Sequence, residues 1–288
     1  MRDAHVLSSD AAGGLEAVYV PSAGMVCRSL RHRGEELLGQ RGGLDRYVAE
    51  RGTMGIPLLH PWANRLSASR LSLAGQTVDA VAAGPAAAVD PNGLPIHGLL
   101  SAHDGWEVMV ADSSRISARF DFAAQPELMA AFPFPHELRM DVALQDATLT
   151  VTTTLQATGD RPVPISFGYH PYFALPGVPR ADWEVELPVE EHLVVDDRMI
   201  PTGVREPAQG VESGPLGDRT FDDGYAVEPG ARFALAGGGR RIEVAFERGY
   251  PIAVIYAPDN DDVVCFEPMT APTNALGSGD GPQFIQPG

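Results

Sequence analysis

The sequence is built largely from short stretches in which apolar and polar side chains alternate. Residues 136–145, HELRMDVALQ, and residues 240–247, RRIEVAFE, both follow this period of two. Such a period places one side of a strand on a core and the other in water. A Thr-rich stretch, residues 148–156, follows the first segment after a short turn at 145–147, which predicts a hairpin.

Further segments with strand character are spread over the whole chain, and helix signals are few. Two short helices are predicted, at 44–52 and at 126–132, where a proline and a glutamate open the segment. With 31 glycines and 25 prolines between the strands, the pattern predicts an all-β chain, a large sandwich or barrel, in one domain over residues 1–288. The other predicted strands are 15–20, 24–31, a hairpin at 70–79, 106–111, 115–122, 183–187, 231–236 and 252–256.

The charge of the chain restricts its partners. A formal net charge of −17 argues against nucleic acid and anionic membranes, because both would repel such a surface. The first residues contain no apolar signal-peptide core, and no apolar run approaches a bilayer span. Cys27 and Cys265 lie far apart without a CxxC spacing, which is typical of buried thiols in a reducing cytoplasm. We therefore expect a cytoplasmic protein with a small-molecule ligand.

The eight histidines do not have the spacing of a metal site. Neither HxH nor HExxH occurs, and His97 and His103 are separated by loop residues. The GxSxG elbow of serine hydrolases is also absent from the sequence. We expect no metal and no organic cofactor, which leaves proton transfer on a neutral polar ligand.

Four segments carry polar or ionisable side chains that the fold alone does not require. Asn64 and Arg65 follow Pro-Trp, His97 is flanked by proline and glycine, and Glu267 follows an apolar strand. His170 stands between two tyrosines in SFGYHPYFALPG. A carboxylate at a buried strand end becomes a usable base. From the residues alone, Glu267 could equally point into water, Arg65 could be an ion-pair partner and His97 a loop histidine.

Six segments, in order along residues 54–276, resemble the aldose 1-epimerase (galactose mutarotase-like) family. They are PWANRLSASRLSLAGQ, PIHGLL, AFPFPHELRMDVAL, GYHPYFALPG, FDDGY and CFEPMTAPTNAL. The resemblance implies a large antiparallel β-sandwich of the galactose-mutarotase type, with a sugar site in a cleft on one sheet. It also implies an enzyme that acts on a small-molecule sugar, as a monomer or a homodimer.

The same resemblance assigns roles to individual residues. His170 and Glu267 match the catalytic histidine and glutamate of the family. The residues expected to bind the sugar are Asn64, Arg65, His97 and Asp222, with Asp223 as the alternative to Asp222.

The implied reaction is interconversion of the α and β anomers of an aldose. Glu267 would take the proton of the anomeric hydroxyl while His170 protonates the ring oxygen, and ring closure then gives the other anomer. For work near neutrality we expect a nearby carboxylate to raise the pKa of His170.

Three different functions remain open beside this one. A hexose-6-phosphate 1-epimerase would need basic residues near the 6-position, for which Arg46, Arg51 and Arg70 are candidates. A glycoside hydrolase would pair Glu267 with Asp222 as a second carboxylate. A non-catalytic sugar-binding module could use the same fold.

Overall fold

The structure is a computed structural model that describes residues 3–10, 14–278 and 282–288. Its two α-helices are α1, Gly43–Glu50, and α2, Pro126–Ala131. The strands are β1 His5–Ser9, β2 Leu15–Val20, β3 Val26–His32, β4 Glu35–Glu36, β5 Leu58–Leu59, β6 Arg70–Leu73, β7 Gln76–Asp79, β8 Glu107–Ala111, β9 Arg115–Asp121, β10 His136–Gln145, β11 Thr148–Ala157, β12 Val163–Ile165, β13 Gly168–Tyr169, β14 Tyr172–Phe173, β15 Glu184–Glu186, β16 Glu191–Val195, β17 Pro201–Pro207, β18 Gly214–Pro215, β19 Phe221–Ala226, β20 Arg232–Gly237, β21 Arg240–Ala245, β22 Ile252–Ala257, β23 Val264–Met269 and β24 Gln283–Ile285.

The strands pair antiparallel, and the largest sheet has the order β17-β16-β19-β22-β23-β13-β5, with β14 also on β23. Three four-stranded sheets accompany it, in the orders β1-β2-β3-β4, β11-β10-β9-β8 and β18-β15-β20-β21. The pairs β12-β24 and β6-β7 are separate ribbons. The prediction of an all-β, antiparallel chain is confirmed.

Most of the predicted elements are present with bounds that shift by only a few residues. The hairpin of β10 and β11 pairs Gln145 with Thr148, as its turn predicted. Both short helices are also found where their patterns placed them. Neither helix has the length and hydropathy that crossing a membrane would require.

The apolar core lies between the sheets, because strands that alternate in sequence alternate in burial. On β10, Leu138, Met140 and Val142 are buried, and the residues between them are more exposed. They belong to one core cluster with Phe233 of β20 and Phe266 of β23, whose rings stack with centroids 5.3 Å apart. One face of the largest sheet is therefore fixed by this packing, and its other face carries a smaller apolar cluster that includes Val254 and Met269.

A pair of buried histidines lies inside this core. His60 Nε2 and His136 Nε2 are 2.7 Å apart, and His136 Nδ1 lies 2.6 Å from the Phe134 carbonyl. Since a carbonyl only accepts, His136 donates through Nδ1, and His60 must donate to His136 Nε2. Burial lowers the pKa of both groups, to about 4 for His136 and well below 6.5 for His60. The pair is therefore neutral.

This neutral pair should make the fold sensitive to mild acid. Below about pH 6.5 the unfolded histidines bind protons that the folded ones reject. Each such group then lowers the free energy of unfolding by up to about 1.4 kcal/mol per pH unit. We expect the contribution of this pair to stability to be constant above pH 6.5 and to be lost progressively from there towards pH 4. Denaturant unfolding at several pH values measures this slope.

His136→Gln removes one of the two titrating groups, so its unfolding free energy should depend less steeply on pH than that of the parent. The variant will be less stable at pH 7, and the comparison is therefore of slopes. An unchanged slope between pH 7 and pH 5 would contradict the assignment.

Candidate active site

Glu267 lies on the face of the largest sheet away from the main core, in the middle of β23. It pairs opposite Val254 of β22, and only 2% of the residue is exposed. The open reading of Glu267 as a charge directed into water is therefore wrong. Along β23, Cys265 is two residues away and lies on the same face of the sheet.

His170 reaches this carboxyl because the short strands β13 and β14 both pair with β23. Gly168 permits the approach, since a Cβ atom there would lie 2.2 Å from Met269 Sδ and 2.7 Å from the Pro268 carbonyl oxygen. Pro171 separates the two strands and fixes the chain after His170. His170 Nε2 lies 3.3 Å from Glu267 Oε1, and both side chains are buried.

Tyr172 holds the histidine ring on its other side. The two rings stack with centroids 4.3 Å apart and an angle of 9° between their planes. The Tyr172 hydroxyl lies 3.1 Å from His170 Nε2 and 2.5 Å from the Thr53 hydroxyl. The imidazole position is thus set by a stack and by a hydrogen-bond chain that starts at Thr53.

Arg65 is fixed by two carboxylates and an amide. Its Nε donates to Asp90 Oδ2 at 2.8 Å, and its Nη1 donates to Asn64 Oδ1 at 3.1 Å. Its Nη2 lies 4.0 Å from Asp222 Oδ2. Asn64 therefore orients Arg65, and Arg65 in turn lies between the buried Asp90 and the more exposed Asp222.

His97 lies against His170, with ring centroids 5.4 Å apart at an angle of 76°. It has a positive φ of 63°, and the following Gly98 has a φ of 73°. A Cβ atom at Gly98 would lie 2.3 Å from the His60 carbonyl oxygen, so this turn requires glycine. Burial first, and then the charges of Arg65 and Arg41, lower the pKa of His97 to about 3. His97 is therefore neutral.

The protonation of the central pair differs from the expectation. Burial, reinforced by Asp222, raises the pKa of Glu267 well above 4.5. Burial, with His97 and Arg41 in support, lowers the pKa of His170 well below 6.5. The expected upward shift of the His170 pKa is wrong, because the loss of water around the ring is the largest influence on it and His97 and Arg41 act in the same direction. Burial therefore favours the uncharged form of each group, which leaves the titrating proton of the pair on Glu267.

Two buried nitrogens in the site have no hydrogen-bond partner among the residues that the structure describes. They are Nδ1 of His170 and Nδ1 of His97. Buried polar atoms are normally hydrogen-bonded, so each unsatisfied one requires an explanation. A ligand with several hydroxyl groups would supply the missing partners.

The choice between Asp222 and Asp223 follows from the period of β19. Asp222 faces Arg65, and Asp223 lies 3.1 Å from His192 Nε2 on the opposite face of the sheet. Asp223 lines a cavity of about 460 Å³ there with His192, Glu206 and Tyr225. This cavity lies away from the His170–Glu267 pair. We therefore place the candidate active site at the pair and not in this cavity.

Arg41 and Thr53 lie near the site, although the sequence did not predict them as site residues. The Arg41 guanidinium carbon lies 4.8 Å from the Tyr172 ring centroid, at the edge of the site. Both residues line a second cavity of about 200 Å³ beside α1. Arg41 lies in a Gly-rich turn with a φ of 44°, and no local pattern links that turn to the distant Tyr172.

Solved structures place this fold among the galactose mutarotase-like proteins. A galactose mutarotase-like protein from Clostridium acetobutylicum is 17% identical with a TM-score of 0.82, over 99% of this chain and 95% of that one. A protein from Synechocystis sp. PCC 6803 is 22% identical with a TM-score of 0.79, over 100% and 92%. Galactose 1-epimerase from Lactobacillus acidophilus NCFM is 15% identical with a TM-score of 0.74, over 100% and 95%.

The family model of aldose 1-epimerase matches residues 12–288. The chain belongs to the aldose 1-epimerase family of sugar isomerases. No curated protein matches the sequence.

Adjacent aspartates on opposite faces of β19 allow a matched test of the ligand site. Asp222→Asn removes a charge beside Arg65, so we expect sugar to bind about tenfold more weakly, which is about 1.4 kcal/mol. Asp223→Asn makes the same chemical change on the other face and should leave binding unchanged. Calorimetric titration with an aldose measures both. Equal weakening in the two variants would contradict the placement of the ligand.

Proposed function

We propose that the protein is an aldose 1-epimerase, a mutarotase that interconverts the α and β anomers of an aldose. The observation that carries the proposal is the buried contact of 3.3 Å between Glu267 Oε1 and His170 Nε2. A carboxyl and an imidazole side by side can remove one proton from a ligand and return another. Anomer interconversion needs only these two transfers, one at the anomeric hydroxyl and one at the ring oxygen.

The reaction requires that the pair holds one proton, whichever of the two groups carries it. With the proton on His170, Glu267 accepts the anomeric proton while His170 donates to the ring oxygen. With the proton on Glu267, Glu267 donates to the anomeric oxygen while His170 accepts the proton of the attacking hydroxyl, and the ring closes. Opening the ring by one assignment leaves the pair ready to close it by the other. The state with the proton on Glu267 is therefore the one that closes the ring.

The surroundings of the pair support a sugar as the ligand. His97 and His170 each present a buried Nδ1 without a protein partner, and each can bond to a hydroxyl group. Arg65 and Asp222 offer a donor and an acceptor on the same side. Asp90 neutralises part of the charge of Arg65, which suits an uncharged polyol.

A glycoside hydrolase and a non-catalytic sugar-binding module have less support. A hydrolase would place a second carboxylate opposite Glu267, whereas His170 contacts Glu267 and Asp222 lies beside Arg65. A non-catalytic module would have no need to bury a carboxyl against an imidazole, since each loses hydration there.

Removing either member of the pair should abolish most of the turnover. Glu267→Gln and His170→Asn each keep the shape of the site and remove one proton carrier, so each should reduce the rate about 10²–10⁴-fold. The rate reduction in the double variant should be far smaller than the product of the two single reductions, because the two groups act as one unit. Polarimetry on freshly dissolved aldoses, corrected for the spontaneous rate, measures this.

Glu184→Gln, an exposed carboxylate on β15, is the matched control and should keep the parent rate. The mechanism fails if Glu267→Gln turns over within about threefold of the parent at saturating sugar, a difference of only about 0.65 kcal/mol.

A hexose-6-phosphate 1-epimerase is the second candidate, and Arg41 is the observation that favours it. Of the three arginines expected for this role, Arg51 donates to the Ser101 carbonyl and Arg70 pairs with Asp79. Arg46 pairs with Glu50 and borders the same 200 Å³ cavity as Arg41. Arg41 instead lies over Tyr172, whose hydroxyl contacts His170, and it borders the 200 Å³ cavity. A guanidinium over the tyrosine that contacts His170 can bind an anionic substituent of the sugar.

Arg41→Gln separates the two candidate substrates. If the substrate is phosphorylated, the variant should raise KM for a hexose 6-phosphate about tenfold or more and leave KM for the free hexose unchanged. Arg70→Gln, an exposed arginine on β6, is the control. Equal kinetics of parent and Arg41→Gln on both sugars would reject the phosphorylated substrate, and the free aldose would remain.

A further inference from the structure

Three potential metal ligands of different chemistry meet on one face of β23. Nε2 of His170, Sγ of Cys265 and a carboxylate oxygen of Glu267 all lie within 4.8 Å of one another. All three residues are buried, and Cys265 has no exposed surface. Cys265 and Glu267 are two residues apart on one strand, so the backbone presents both side chains from the same face.

This donor set is typical of a borderline-soft metal ion. Zinc binds imidazole nitrogen at about 2.0–2.1 Å, carboxylate oxygen at about 2.0–2.2 Å and thiolate sulfur at about 2.3 Å. Ligands at such distances around a tetrahedral ion lie about 3.4 Å apart, and His170 and Glu267 already lie at 3.3 Å. Cys265 closes the set by a small movement of its side chain. Magnesium and calcium, which require oxygen ligands, do not match it.

We propose that His170, Cys265 and Glu267 form a site for Zn²⁺ or a similar thiophilic divalent ion, and that the bound ion switches the enzyme off. Binding releases two protons, one from the Cys265 thiol and one from the His170–Glu267 pair. The ion then balances one thiolate and one carboxylate, so the buried site has no net charge. The fourth position of a tetrahedral ion remains for water or a sugar hydroxyl.

Inhibition follows from the sharing of ligands. The ion would hold the nitrogen and the oxygen that otherwise carry the proton of the reaction, so metal and turnover exclude each other. This consequence rests on the proposed function, whereas the metal site itself does not. Binding and activity are therefore measured separately.

Titration of the metal-free protein with Co²⁺ tests the site. Cobalt replaces zinc in such sites, and its absorption reports a thiolate ligand by a charge-transfer band and a tetrahedral geometry by visible bands. We expect both signals to saturate at one equivalent. Cys265→Ser should lose the charge-transfer band, and Cys27→Ser, which changes the other buried thiol, should keep it. Magnesium should neither produce nor displace the signals.

The absence of a thiolate band in the parent, or an equal band in Cys265→Ser, would overturn the site. The parent and Cys27→Ser decide the question even if Cys265→Ser fails to fold, because a stoichiometric thiolate band that survives in Cys27→Ser can come only from Cys265.

The activity arm uses Zn²⁺ with the parent enzyme. Saturating zinc should lower turnover about 10²-fold or more, the contribution expected of the acid–base pair, and EDTA should restore it. If zinc leaves turnover unchanged in protein that shows the cobalt signals, the proposed inhibition is wrong, and the proposed metal site still stands. A metal-free protein without mutarotase activity would instead reject the proposed function.

Discussion

The active face of this protein depends on one contact, the burial of the Glu267 carboxyl against the His170 imidazole at 3.3 Å. Neither group can carry its usual charge in that position at low cost, because both have lost water. The uncharged forms of both groups are therefore favoured, with one titrating proton shared between them. The stack of Tyr172 on His170 and the hydrogen-bond chain from Thr53 hold the geometry in which the sharing works.

The side chains of β19, β22 and β23 around the pair are positioned by their alternation between the two faces of one antiparallel sheet. Core packing fixes one face through Ile255 and Phe266, so Val254 and Glu267 must lie on the other. The same rule places Asp222 near the pair and Asp223 in a cavity on the reverse side. A shift of one residue in β19 would exchange the two aspartates, which makes strand register a determinant of function.

Burial is the common basis of the two proposals for this site, proton transfer and metal binding. A buried carboxyl and a buried thiol are two potential anions, and the charge of Arg65, which acts on the carboxyl, is already balanced by Asp90 and Asp222. In the proposed sugar chemistry the thiol keeps its proton, and the His170–Glu267 pair holds one proton between its two members. A divalent ion satisfies the same groups in place of those protons.

The sequence by itself determined the strands and the two helices, and it predicted His170, Glu267, Arg65 and His97 as site residues, because period-two burial and family motifs are local signals. The tertiary structure decided the rest. It chose Asp222 over Asp223, brought Arg41 and Thr53 to Tyr172, and reversed the expected pKa shift of His170. These outcomes depend on strand register and on the exclusion of water by residues far apart in the chain, and no short segment of sequence records either.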